Sequence, residues 1–451
     1  MAYECGGLQL DFFPSSDFEP IVRGNDGPLV RNALRLLFMG WQAHWMEVIT
    51  PHFLNAVLIT KNDALIALMK ASFREGFAHM LSQLSNRQLT EAEHHQAQLH
   101  ISNCLCIFPF AEPSPLEVFT IPQKIGDAWI GVDYQVTLIE LTQPKKRHHF
   151  WRKDHDKVFA LGLSPLNNPD ALPILVFKGT SYPADDGFYM QILTDLKAFT
   201  TPGKSFFKHC FPAVLHWLSK QLLKSQVCGL SLGGALATLF ACHLGDKLSY
   251  VYALNPPGLH NMLGSKESRA WHQLLEKPEV IVQIEDEDPI SKFGCTEPEW
   301  ILLHVMPAQS IKPPIHLLDH ALIYSGHSET QFIEKDVEAH NDERYLRNLI
   351  WYSLMRAAFY YSVLIPTTYI FRPTAYFIWE HQLACSAFMF MTGLGLTVLA
   401  ATLYPSLILL TIGLSLSLIG GLACLLSIRG ENDEVMVYGD GYDGSDLSLV
   451  G

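Results

Sequence analysis

Apolar residues recur along the chain first at helical and then at strand intervals. Between about residues 30 and 100, Leu34, Leu37, Trp41 and Trp45, then Leu65, Leu68, Met69, Phe73 and Phe77, keep spacings of three and four with few Gly or Pro between them. This predicts a helical lead-in. From Glu117 the period shortens. Residues 118–121, 129–132, 134–139 and 158–161 are short β-rich runs between polar turns, and Pro173-Ile174-Leu175-Val176-Phe177 is a continuous apolar run of the central-strand kind. Helical stretches at 192–199 and 211–223 then alternate with strands around 226–228, 250–254, 280–284 and 300–305. Alternation of this kind predicts an α/β fold with a mostly parallel, doubly wound sheet.

A third pattern begins after Glu380. Residues 381–428 contain no Asp, Glu, Lys or Arg, and Tyr404-Pro405-Ser406 divides them into runs of 21 residues (Leu383 to Leu403) and 22 residues (Leu407 to Ile428). At ~1.5 Å per residue each run is about 31–33 Å long, near the ~30 Å hydrocarbon core, so a membrane hairpin is expected. Residues 346–380 read as an amphipathic or interfacial linker, since the apolar stretch from Ala357 to Phe371 is short, interrupted by Pro366 and bracketed by Arg356 and Arg372.

Composition sharpens this division. Of 451 residues 49% are hydrophobic and only 17% charged, an apolar balance for a soluble enzyme. The net charge of −13 and the lack of any basic block beyond Lys145-Lys146-Arg147 exclude nucleic acid as a partner. Residues 429–451 add six acidic residues and, after Arg429, no basic one, which reads as a disordered acidic tail. Nine scattered cysteines fit a reducing compartment better than a disulfide framework, and Cys104 and Cys106, with apolar flanks, read as buried thiols. The first basic residue is Arg23, so no signal peptide is expected.

The candidate chemistry lies at Gly229-Leu230-Ser231-Leu232-Gly233. Glycines two positions either side of a serine suit a sharp strand-to-helix turn that lifts the hydroxyl clear of the backbone, and here Gln226-Val227-Cys228 precedes it while a helix-forming run, Ala235 to Phe240, follows. Such a serine needs an imidazole to take its proton and a carboxylate to orient that imidazole, in the order Ser, Asp, His along the chain. The carboxylate candidates are Asp288, just past the apolar strand, and Asp286, crowded together with Glu285 and Glu287. The candidate histidines after the last of these strands are His316, His320, His327 and His340. His316 and His320 are four apart but lack an intervening Glu and follow Pro313-Pro314, so no zinc site is expected.

The segment Gly229-Leu230-Ser231-Leu232-Gly233-Gly234-Ala235-Leu236-Ala237 resembles the nucleophile segment of the class 3 lipases, with Leu230 where the family usually has His. Val176-Phe177-Lys178-Gly179-Thr180, Ala253 to Gly258, Glu287-Asp288-Pro289-Ile290 and His320-Ala321-Leu322 resemble further family segments in the family's order, and together they span about residues 130–330. The resemblance implies an α/β-hydrolase fold, a catalytic triad of Ser231, Asp288 and His320, and an oxyanion hole at Thr180 and Leu232. Lys178 is expected to be an ion-pair partner, and no cofactor or metal is expected. The chain is thus expected to divide into an N-terminal helical region (1–115), a hydrolase domain (116–345), the linker, the hairpin (381–428) and the tail. Its expected activity is hydrolysis of lipid acyl esters beside a membrane, with the catalytic domain facing the cytosol. Acyl transfer or thioester hydrolysis on the same fold, or membrane remodelling by a degenerate hydrolase domain, are the alternatives. The charge-free hairpin also resembles segments that intracellular bacteria insert into host membranes, where such a protein would act as an effector. Protein partners are not legible.

Overall fold

The computed structural model describes residues 3–22, 24–40, 48–51, 62–142, 157–181, 185, 187–197, 200–259, 266–313, 316–341, 354, 356–371, 374, 381–402, 411–412 and 414–419. Two compact units divide the chain, Met1–Leu364 and Ile365–Gly451.

Among the described residues of the first unit, the helical lead-in includes α1 (Gly27–Met39), α2 (Asp63–Ser85) and α3 (Glu91–Ile107). Local chemistry fixes where they start. Asn62 accepts from the first N–H groups of α2, and Thr90 and Glu93 form a reciprocal capping box on α3, satisfying donors that no helix satisfies internally.

A nine-stranded sheet follows, built from β1 (Val118–Ile125), β2 (Ala128–Glu140), β3 (Phe159–Pro165), β4 (Ile174–Phe177), β5 (Ser225–Leu230), β6 (Leu248–Leu254), β7 (Glu279–Glu285), β8 (Ile301–Met306) and β9 (Gln331–Lys335). The strands lie side by side in chain order. β4 to β8 are parallel, while β1 to β4 run antiparallel and β9 pairs antiparallel with β8. The sheet is therefore mixed α/β, a correction to the mostly parallel reading. The runs at 129–132 and 134–139 join into one long β2.

The order also corrects the doubly wound reading. Consecutive parallel strands joined in sequence by crossovers of one hand leave all the crossover helices on one face. That face is covered by α5 (Lys204–Ser219), α6 (Leu232–Leu244) and α7 (Lys266–His272), which pack on Leu175, Val227, Val251, Ala253, Val280 and Val282. The intervening strand residues Val176, Cys228, Tyr252, Leu254 and Ile281 point the other way, as the two-residue strand period requires, and are covered by α1, α2 and α3. The N-terminal helices thus complete the same unit. Cys104 and Cys106 are fully buried in that second core, as its apolar flanks imply.

In the second unit, α8 (Gln382–Thr402) carries the first half of the charge-free run. Its side chains are described over residues 384–397, about 21 Å of helix. Among the described residues no helix is long and apolar enough to cross a membrane. The expected hairpin is therefore not shown, and most of its second half, with the acidic tail, lies outside the described residues.

Candidate active site

Ser231 sits between β5 and α6 with φ 56° and ψ −119°. A non-glycine residue in this region is strained, and the surrounding packing holds it there. The flanking glycines explain how. A Cβ on Gly233 would lie 2.1 Å from the Phe177 carbonyl oxygen, and one on Gly229 would lie 2.3 Å from the Gly233 backbone. Only bare backbone lets strand, turn and helix approach this closely. The Ser231 N–H donates to the Leu254 carbonyl at 2.9 Å, tying the turn to β6. Leu232 is the first residue of α6, so its N–H is among the four that a helix leaves unpaired, at the positive end of the helix dipole.

Asp288 lies just past β7 and is fully buried. Its Oδ2 accepts from Ser291 N–H at 2.8 Å, its Oδ1 accepts from Ile290 N–H at 3.1 Å, and His320 Nδ1 is 2.9 Å from Oδ1. Burial works to raise this carboxyl, but the hydrogen bond and charge of His320, with the Ser291 donors, outweigh it and hold Asp288 below the usual carboxylate range. An ionised carboxylate on Nδ1 orients the ring and leaves Nε2 for proton transfer.

The other candidates lie elsewhere. Asp286 pairs with Lys312 at 2.9 Å. His316 is exposed and lies 3.3 Å from Asp319, while desolvation lowers His327 below the usual imidazole range, against a hydrogen bond to the Met39 backbone. His340 stands in the helical turn after β9. Asp286, His316 and Asp319 come close enough to share an ion, yet Lys312 already supplies the positive charge at Asp286.

Thr180 follows the end of β4, beside Leu230: a Cβ on Gly179 would be 2.9 Å from the Leu230 carbonyl oxygen. Thr180 Oγ1 donates to Asp195 Oδ2 at 2.6 Å. Asp195 ends α4 (Phe188–Asp195), and Gln191, one turn earlier, accepts from Ser181 N–H at 2.7 Å and donates to the Gly179 carbonyl at 3.3 Å. One face of α4 therefore braces Gly179, Thr180 and Ser181. Burial pushes the Asp195 carboxyl up to about 7, against the Thr180 hydrogen bond and the charges of Arg356 and His320. Lys178 forms an ion pair with Asp185.

Asn255, fully buried at the end of β6 with φ 46°, links the parts. Its Oδ1 accepts from Glu285 N–H at 2.8 Å, and its Nδ2 donates to the carbonyls of Asp319 and His320 at 3.1 and 3.0 Å. One amide thus joins the strand before Asp288 to the turn bearing His320. Asn255, Gln191 and Asp195 escaped the sequence reading. The signal for the last two was their four-residue spacing on a short helix.

Ser231, His320, Thr180 and Leu230 line one cavity of about 550 Å³, whose remaining wall is mainly apolar and comes largely from α1, α2, the end of α3 and the turn after it, including Leu34, Leu37, Ile66, Met69 and Phe110. Among the described residues Ser231 Oγ makes no hydrogen bond to His320; such bonds are often long until substrate binds.

No family model and no curated protein matches the chain. Among solved structures it is similar to a triacylglycerol lipase from Penicillium expansum, at 10% identity over 56% of this chain and 89% of that one, with a TM-score of 0.31.

Proposed function

We propose that the chain is a serine hydrolase of lipid acyl esters, a lipase or phospholipase with the class 3 lipase arrangement. The observation that carries this reading is that Ser231, held at the strained turn, and His320, paired with buried Asp288, open into one apolar cavity. In this mechanism Ser231 Oγ attacks the acyl carbonyl carbon while His320 Nε2 accepts the hydroxyl proton. The oxyanion forms against the N–H groups of Leu232 and Thr180. The tetrahedral intermediate collapses as His320 returns the proton to the leaving alcohol, giving an acyl-enzyme. Water, deprotonated by His320, then releases the fatty acid and restores Ser231.

The cavity wall favours an acyl chain over a polar group, because its lining from the N-terminal helices offers methyl, methylene and aromatic surface. The charge-free run 381–428 belongs to the same proposal as a membrane hairpin that keeps the enzyme beside its lipid. A fluorophosphonate probe and a lipid-release assay on natural membranes test both parts. Labelling and fatty-acid release are expected from the wild type and lost in Ser231→Ala. A chain ending before residue 381 is expected to keep turnover on soluble esters and lose it on membranes. Undiminished hydrolysis by Ser231→Ala would sink the catalytic reading, and undiminished membrane turnover by the truncated chain would remove the tether.

A further inference from the structure

Arg356 lies outside the lipase-like segment, in the stretch that leads toward the apolar C-terminal region, yet it is only 3% exposed. Its guanidinium donates to the carbonyls of Asp195, Lys197 (2.9 Å) and Thr200 (3.2 Å). These carbonyls belong to the last turn of α4 and the chain just beyond it, where a helix leaves acceptors unpaired and carries partial negative charge. A planar, permanently charged fork matches several such acceptors at once, which a lysine cannot do. The same end of α4 holds the Asp195 carboxylate that receives the Thr180 hydroxyl. On either side of Arg356 the chain exposes large apolar side chains, Leu354 before it and Phe359, Tyr361 and Val363 after it.

We infer that Arg356 is a positioning residue for the reaction: by clamping the end of α4 it holds Asp195, and through Asp195 the Thr180 loop, in place for the oxyanion. This inference rests on the reading of Ser231 as nucleophile. It gives the segment before the C-terminal region a hold on the Thr180 loop through Asp195, with no contact to substrate. A merely structural stitch would make the same contacts, so the two roles differ only in what the variants do to chemistry.

The test uses the full chain and measures the rate of Ser231 modification by a fluorophosphonate, whose phosphonyl oxygen enters the oxyanion hole, together with kcat and KM on a soluble short-chain ester across pH. Arg356→Ala is expected to slow labelling and kcat by about tenfold to a hundredfold, less than outright loss of an oxyanion donor, with KM nearly unchanged. The charged groups facing Asp195 are Arg356 and His320. Removing the first disfavours the ionised carboxyl, so the acid limb of the profile moves to higher pH in Arg356→Ala. Combined with Asp195→Asn, the same substitution should leave the limb where Asp195→Asn alone puts it. Arg356→Lys keeps the charge without the fork and should recover part of the rate and most of the limb position, and it serves if Arg356→Ala does not fold. Folded variants with unchanged labelling rate per active site and an unmoved limb would overturn the inference. A wild type that labels elsewhere than Ser231 would instead overturn the reading beneath it.

Discussion

The two faces of the sheet are built from the same strands but do different jobs. The face under α5, α6 and α7 is apolar almost throughout, with Phe177, Phe207 and Phe240 packed ring to ring. The opposite face, under α1 to α3, buries a polar chain within its apolar core: Gln96, His100 and Asn103 on α3 reach Ser325 and Gln283, and Gln283 donates to Glu285 beside Asn255. Burial pushes the Glu285 carboxyl well above its usual range. The first face fixes the Ser231 turn by close backbone packing. The second holds the His320 turn by hydrogen bonds and supplies the cavity wall. A rigid turn needs only tight contact, whereas a histidine on a loop must be held at its backbone.

The largest expected effect breaks the first face. Gly233→Ala puts a Cβ where the Phe177 carbonyl oxygen stands, so either α6 or β4 must move and the Ser231 turn opens. Fluorophosphonate labelling should fall by at least about 10³-fold, and thermal unfolding should show a loss of about 1–3 kcal/mol. Labelling within tenfold of wild type would mean that the glycine is not what shapes the turn.

A smaller loss should follow from the second face. Asn255→Ala removes three hydrogen bonds and leaves the Glu285 N–H and the Asp319 and His320 carbonyls without that partner. A buried group left unsatisfied costs about 1–3 kcal/mol, and the His320 turn loses its anchor. Turnover should drop by about tenfold to a hundredfold, while labelling at Ser231 survives at a reduced rate. Equal kcat in a folded Asn255→Ala would show that Asp288 alone sets the position of His320.

The same contrast explains what was legible in the sequence. Ser231 and its glycines are contiguous, so spacing alone exposes them, and strands with long apolar runs such as β4, β6 and β7 are marked by composition. Asp288 and His320 needed the chain order of the site, and only folding brings His320, rather than His316, His327 or His340, to the carboxylate. Asn255 and Arg356 each make three hydrogen bonds to segments distant in the chain, which leave no local pattern, and Asp195 showed only its four-residue spacing from Gln191. The polar residues Gln96, His100 and Asn103 did leave one, recurring on one side of α3, but helical periodicity records which face is buried and not what it is bonded to. β9 was missed because its residues alternate weakly and pair only with β8.

The smallest effect sharpens the comparison without breaking either face. Ile66, on α2, is partly buried and lines the cavity far along the chain from Ser231, so a larger side chain there takes up cavity volume without displacing the core. If the N-terminal helices shape an acyl site, Ile66→Trp shortens the chain that fits. Turnover of long-chain esters should fall by about tenfold, since each methylene that loses its apolar contact forfeits about 0.8 kcal/mol and only a few are displaced. A butyrate ester, whose short acyl chain fills less of the cavity, should be hydrolysed within about twofold of wild type, because Ser231 and His320 are untouched. The ratio of the two rates isolates the wall from the chemistry. An equal loss on both esters would mean that the substitution disturbs the catalytic loops, and no loss on either would place the acyl chain outside this cavity.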